Sequence, residues 1–208
     1  TTDVFPDSTI VTVADSAGSS NLAIKVKCQD SVIIPAEKEE IEDMAFKGCS
    51  KLTSVFIHDS VTSIGNGAFF NCSELTELKI PDSVTSIGNE AFYNCSGLTS
   101  VTFDKDGDGV SKLTSIGEGA FSECSRLTSV TIPDSVTSIG ESAFFNCSGL
   151  TSVTFDKDGD SKLTSIGDGA FHGCSKLESV TIPKALEQII TTDVFPDSTI
   201  VTVADSAG

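Results

Sequence analysis

Asp104, Asp106 and Asp108 place three carboxylates at alternate positions ahead of Gly109 and Val110. Carboxylates at that spacing, joined by the Val110 carbonyl, can converge on one hard cation if the loop curls, as in the first half of an EF-hand-like calcium loop. Asp156, Asp158 and Asp160 repeat the pattern, with Ser161 where the glycine stood. At the twelfth position, where such a loop carries glutamate, the two copies have Ser115 and Gly167, and no helices are expected to flank them. Weak Ca²⁺ binding at millimolar levels is one reading of these loops; a solvated acidic hairpin is the other.

Three further positions carry chemistry of a different kind. Asn71, Asn94 and Asn146 each head an Asn-Cys-Ser triplet, the acceptor pattern for N-glycosylation. Glu123 shares their column, which argues that the column faces solvent, and a turn asparagine is the competing reading. The preceding column reads Lys47, Phe70, Tyr93, Ser122, Phe145 and His172, so its aromatics either pack laterally between units or lie against neighbouring phenylalanines. The only histidines, His58 and His172, stand in different columns, and no G-x-S-x-G occurs. Neither a zinc site nor a His-based triad can be assembled, and a non-enzymatic protein is expected.

The bulk properties narrow the partners. A net charge of −17 with 13 Lys+Arg argues against nucleic acid and anionic membranes, since phosphate binding needs clustered cations. Apolar content of 38% suffices for a continuous core. No apolar run reaches the length of a membrane-spanning helix, and the chain, opening on Thr1 without a leader pattern, reads as a mature fragment.

The elements that must position these residues are copies of one unit, seen most clearly in Leu127–Cys147, LTSVTIPDSVTSIGESAFFNC. An Ala-Phe pair marks each copy at Phe46, Phe69, Phe92, Phe121, Phe144 and Phe171, at spacings of 23, 23, 29, 23 and 27 residues. Both long spacings come from the acidic insertions, which fall at one point of the unit and are therefore loops on one side of a stack. Val130 and Ile132 alternate as in a strand that Pro133 ends, and Val136 to Ile139 suits a second short strand. Gly140 is expected to turn the chain, and Glu141 to Asn146 to form one helical or 3₁₀ turn that lays Phe144 across the core. No copy can bury its apolar set alone, so the units must stack. Cys49, Cys72, Cys95, Cys124, Cys147 and Cys174 keep the repeat phase and are expected as buried free thiols. Parallel stacked side chains meet disulfide geometry poorly. Cys28 lies outside the phase and reads as free or end-capping.

Residues 1–18 and 191–208 are identical. The chain thus divides into an N-terminal strand and linker segment (1–30), a solenoid (31–190) and a duplicate of the start (191–208). Either units follow one another in a tandem array, or the duplication is an artefact of cloning. Val4-Phe5-Pro6 and its copy Val194-Phe195-Pro196 echo Thr131-Ile132-Pro133 and are expected to supply a strand to a head-to-tail interface. Ile33 and Phe56, exposed on adjacent strands, would add an apolar patch to that interface, or be covered by the N-terminal segment of the same chain.

The pattern Leu-x-x-Val-x-Ile-Pro-x-x-Val-x-x-Ile-Gly-x-x-Ala-Phe-x-x-Cys over residues 31–190 resembles the BspA-type, or Treponema pallidum-type, leucine-rich repeat. The resemblance implies a mostly β solenoid with a parallel sheet on its inner face and short turns or 3₁₀ helices on the other. It also implies an extracellular or cell-surface protein. Function is expected to be that of a structural unit assembling head to tail with itself into a filament or appendage; the alternative is an adhesin whose inner face binds a matrix protein or glycan.

Overall fold

The computed structural model describes residues 28, 30–156, 161–191 and 193–204, and over these the chain is a parallel β-solenoid. One side of each coil is a four-residue strand: β1 (Ser31–Ile34), β3 (Ser54–Ile57), β5 (Glu77–Ile80), β7 (Ser100–Phe103), β9 (Ser129–Ile132), β11 (Ser152–Phe155) and β13 (Ser179–Ile182). A second side holds two-residue strands: β2 (Glu40–Ile41), β4 (Ser63–Ile64), β6 (Ser86–Ile87), β8 (Ser115–Ile116), β10 (Ser138–Ile139) and β12 (Ser165–Ile166). A 3₁₀ turn at Lys184–Leu186 then leads to β14 (Ile200–Val203).

Strand pairs are parallel and in register, as in Val130 opposite Val153 and Thr131 opposite Thr154. The continuous sheet is the short-strand one, β2-β4-β6-β8-β10-β12. The four-residue strands, expected to form an unbroken sheet, pair only two by two, as β1-β3, β5-β7, β9-β11 and β13-β14. Two of the three breaks fall after β7 and β11, where the acidic insertions leave the strand.

The third side corrects the expectation of a helical turn. Ser142 and Asn146 adopt left-handed backbone (φ 53° and 55°) on either side of Phe144, and the same two positions are left-handed in the other coils, filled by Met44, Gly67, Glu90, Gly119 or Gly169 and by Gly48, Asn71, Asn94, Glu123 or Gly173. With these two positions left-handed and the three residues between them not, alternate N–H groups turn out of the coil, while those of Phe145 and Cys147 bond back to the carbonyls of Ser142 and Phe144. The N–H groups of Ser142, Phe144 and Asn146 accordingly donate to the carbonyls of Asp168, Ala170 and His172 in the next coil. A helix would have consumed those donors locally. The conformation costs about 1–2 kcal/mol at each non-glycine position, offset by the hydrogen bonds that it frees.

Gly140, expected to turn the chain, serves instead as a spacer. A Cβ added there would lie 2.4 Å from the Glu118 nitrogen, and Gly65, Gly88, Gly117 and Gly167 are equally crowded by the preceding coil.

Inside, Phe46, Phe69, Phe92, Phe121, Phe144 and Phe171 form one column of fully buried rings, with neighbouring centroids 4.9–5.2 Å apart. Beside it the thiols of Cys72, Cys95, Cys124, Cys147 and Cys174 each donate to a phenylalanine carbonyl of the preceding coil, at 3.1–3.3 Å. Cys28 and Cys49 depart from the expected free state: they form a disulfide, with Cα atoms 4.9 Å apart. Cys28 comes from outside the repeat phase and so escapes the parallel side-chain orientation that keeps stacked cysteines apart.

Two threonine ladders, unnoticed in the sequence, tie the coils from outside. The hydroxyls of Thr76, Thr99, Thr128 and Thr151 each donate to the carbonyl of the preceding ladder threonine, at 2.9–3.3 Å. Thr85, Thr114, Thr137 and Thr164 do the same on the short-strand side.

Phe144 has a ring above and below it, whereas a ring at the end of the column has one neighbour. Phe144→Ala is expected to cost about 3–5 kcal/mol in equilibrium denaturation, and Phe195→Ala, at the end of the column, clearly less. Equal losses would contradict the stacked-column account.

Candidate functional site

The duplicated segment docks on the C-terminal side of the coil that carries Phe171. Residues 191–204 add one more coil there. Phe195 stacks on Phe171 with centroids 5.1 Å apart, so Val194 and Phe195 take the Ala-Phe positions. Phe171 and Gly169 donate to the carbonyls of Val194 and Asp193, continuing the turn ladder at 2.8 and 3.1 Å. Strand β14 then pairs in parallel with β13, Val201 opposite Val180 and Val203 opposite Ile182. The Thr199 hydroxyl donates to the Leu177 carbonyl at 2.7 Å.

This placement corrects the alignment of Val194-Phe195-Pro196 with Thr131-Ile132-Pro133. Val203, eight residues further on, takes the Ile132 position that the alignment gave to Phe195, because the ring column claims Phe195 first. Val194 and Phe195 are buried in their own chain and are not an exposed interface. What is exposed is the next layer. Val201 and Val203 occupy the inward positions that Val130 and Ile132 hold in β9, and among the described residues they are 41% and 38% exposed against 2% and 1%. Ile200 is 66% exposed. Of the remaining interface residues, Ile33 is half-buried and Phe56, its register partner, is 46% exposed. Val4 and Phe5 lie outside the described residues.

In the first acidic loop the carboxylates have separate partners. Asp104 pairs with Lys79 at 3.0 Å, and Asp156 pairs with Lys105 of the other loop at 2.6 Å. The Asp106 carboxylate accepts the N–H groups of Val110 and Asp108, which hold it below the usual carboxylate range. The Val110 carbonyl, expected as a metal ligand, accepts the Asp106 N–H at 2.9 Å. Asp108 is exposed, and Asp158 and Asp160 lie outside the described residues. Among the described residues no group of three His, Cys, Asp or Glu side chains could hold a metal ion.

The asparagine column forms a ladder of side chains. Asn94 Nδ2 donates to Asn71 Oδ1 and Asn146 Nδ2 to Glu123 Oε1, both at 2.9 Å. The nitrogen that a glycan would take is thus engaged at Asn94 and Asn146, both half-buried, while Asn71 is exposed and enters the ladder as acceptor. In the neighbouring column Phe70 stacks on Tyr93 (4.8 Å), Phe145 on His172 (5.9 Å), and Lys47 lies over the Phe70 ring (4.9 Å). These aromatics pack along the solenoid within one chain. On the short-strand side a polar trough crosses several coils, lined by Ser63, Ser86, Ser115 and Ser138 with Asn66 and Asn89.

A family model described as the BspA type leucine rich repeat region, in six copies, matches residues 23–109 and 108–205. The chain belongs to the BspA-type leucine-rich repeat family. Among solved structures, this BspA-type chain is similar to a T. pallidum leucine-rich repeat protein, with 27% identity over 72% of this chain and 78% of that one and a TM-score of 0.57. A leucine-rich repeat protein from Bacteroides ovatus is 24% identical over 85% of this chain and 54% of its own, with a TM-score of 0.53. The pneumococcal vaccine antigen PcpA is 22% identical over 82% of this chain and 51% of its own, with a TM-score of 0.59. The chain spans about half the length of these last two, which share its fold. No curated protein sequence matches it. Among the described residues no helix is long and apolar enough to cross a membrane.

Burial pushes the thiols of Cys72 and Cys124 up to about 12, and those of Cys95 and Cys147 well above their usual range. A thiol reagent at neutral pH is expected to label none of the five free cysteines in the folded chain and all five after unfolding without reductant. The unfolded chain releases these protons near pH 9 while the folded chain keeps them, so stability is full below pH 9 and falls as the pH rises toward 12. A denaturation midpoint unchanged between pH 8 and 11 would contradict the burial of the column. The calcium reading of the acidic loops is tested by the thermal midpoint: a rise in millimolar Ca²⁺ that Asp106→Asn abolishes would support it, and an unmoved midpoint would leave the solvated hairpin.

Proposed function

We propose that this BspA-type chain is a structural, non-enzymatic module of an extracellular or cell-surface filament, joined head to tail to the next unit. One observation carries the reading: residues 191–204, identical to residues 1–14, dock as a coil on the end of the stack rather than as a foreign cap. The docked segment leaves Ile200, Val201 and Val203 exposed, an apolar surface on which a further coil could stack. A segment that ends one unit and begins another suits continuation, and a contact of that kind that does not close on itself gives a fibre. The Cys28–Cys49 disulfide supports an oxidising compartment.

A second reading, an adhesin for a matrix protein or glycan, draws support from the polar trough along the short-strand sheet. Electron microscopy of native material in negative stain separates the two. Filaments with an axial period of ~40 Å, from about eight coils at ~4.8 Å each, are expected. Dispersed monomers that capture matrix protein through the trough would favour the adhesin instead.

A further inference from the structure

The end of the solenoid is a seat built for one particular sequence, and the chain carries that sequence twice. The seat consists of the Phe171 ring, the N–H groups of Gly169 and Phe171, and the free edge of β13. Its occupant, residues 191–204, is held by ring stacking, by the turn ladder and by the parallel pairing of Ile200–Val203. Residues 1–14 reproduce the occupant without a change, with Phe5 standing for Phe195 and Thr12 for Thr202. A surface complementary to one copy is complementary to the other.

We propose that residues 1–14 of a second copy of this chain bind in the seat that residues 191–204 hold here, so that the two identical segments compete for it. The inference rests on the head-to-tail reading above and names its contact. The resident segment has the advantage of tethering, which gives it an effective concentration in the millimolar range for a short linker. Exchange therefore requires a high concentration of the second copy or a weakened resident. Exchange can extend from copy to copy, because a copy that lends its first residues keeps a seat of its own in which a further copy can replace the resident segment. Each unit in an array would then be closed by the beginning of its successor. The hydrogen-bonded edge gives affinity and the phenylalanine gives register, as in other cases of strand addition.

Thr181 and Thr202 lie side by side on β13 and β14, with their hydroxyl oxygens 3.0 Å apart. The full chain carrying Thr12→Cys and Thr181→Cys therefore reports the exchange with a short bis-maleimide cross-linker, which bridges stacked parallel thiols without the geometry that a disulfide demands. Species of dimer mass and above, joined through positions 12 and 181, are expected on a non-reducing gel. Adding Phe195→Ala, which loosens the resident copy, should increase them, and adding Phe5→Ala instead, which loosens the incoming copy, should reduce them. A merely destabilising effect would move both variants the same way. The unlabelled peptide TTDVFPDSTIVTVA should suppress the cross-linked species. Absence of the link in the Phe195→Ala background, with circular dichroism showing a folded chain, would overturn the proposal, as would a link confined to single chains. Exchange without fibres in native material would leave this contact standing and remove the filament; fibres without exchange would do the reverse.

Discussion

No coil of this molecule can satisfy itself. Its aromatic ring stacks on the rings above and below, and alternate turn N–H groups find their carbonyls in the next coil. Its threonine hydroxyls find acceptors only in the coil before. Packing, backbone pairing and side-chain hydrogen bonding all run along one axis, at one spacing of ~4.8 Å set by the parallel ladder. Stability is therefore a sum over neighbours rather than the property of a central core. Whatever lies at the end of the stack inherits every unsatisfied group at once.

That dependence explains what could be read in advance. The phase of Ala-Phe and of the cysteines is dictated by ring and thiol columns that tolerate no slip, so stacking, core positions and insertion loops were all visible in the residue types. The hand of the backbone was not, because Glu90, Ser142 and Gly119 have nothing in common as side chains, yet share one left-handed position. Only the demand for donors directed at the next coil unites them. The glycine column misled in the opposite sense, since Gly140 suggested a turn where the neighbouring coil merely leaves no room for a Cβ. Threonine immediately before each strand serine was a signal available in the sequence for both outer ladders.

The ends were the least legible part, for a related reason. Val194-Phe195-Pro196-Asp197-Ser198 looks locally like the Ile-Pro-Asp-Ser that closes a strand, and residue likeness favours that alignment. The structure weighs one buried ring against it, and the ring column decides. In the same way Cys28 looked solitary until its segment was brought beneath Cys49. In the first acidic loop Asp104 and Asp106 are engaged by Lys79 and by the loop's own backbone, partners that spacing alone does not reveal.

The turn ladder has one property that the strands lack. Along a strand, successive peptides point alternately up and down the axis, but at the turns the inter-coil N–H groups all point toward the C-terminal end and the carbonyls that receive them point back. Their dipoles add, as they do in an α-helix, giving that edge of the solenoid a partial positive charge at its C-terminal end and a partial negative charge at its N-terminal end. A unit arriving upside down would set donor against donor, while one arriving in the same sense would meet its opposite. This edge therefore disfavours symmetric end-to-end pairing before any side chain is consulted, whereas on the threonine flanks the N–H groups of Thr85, Thr99, Thr114 and Thr137 point the other way, to the preceding coil.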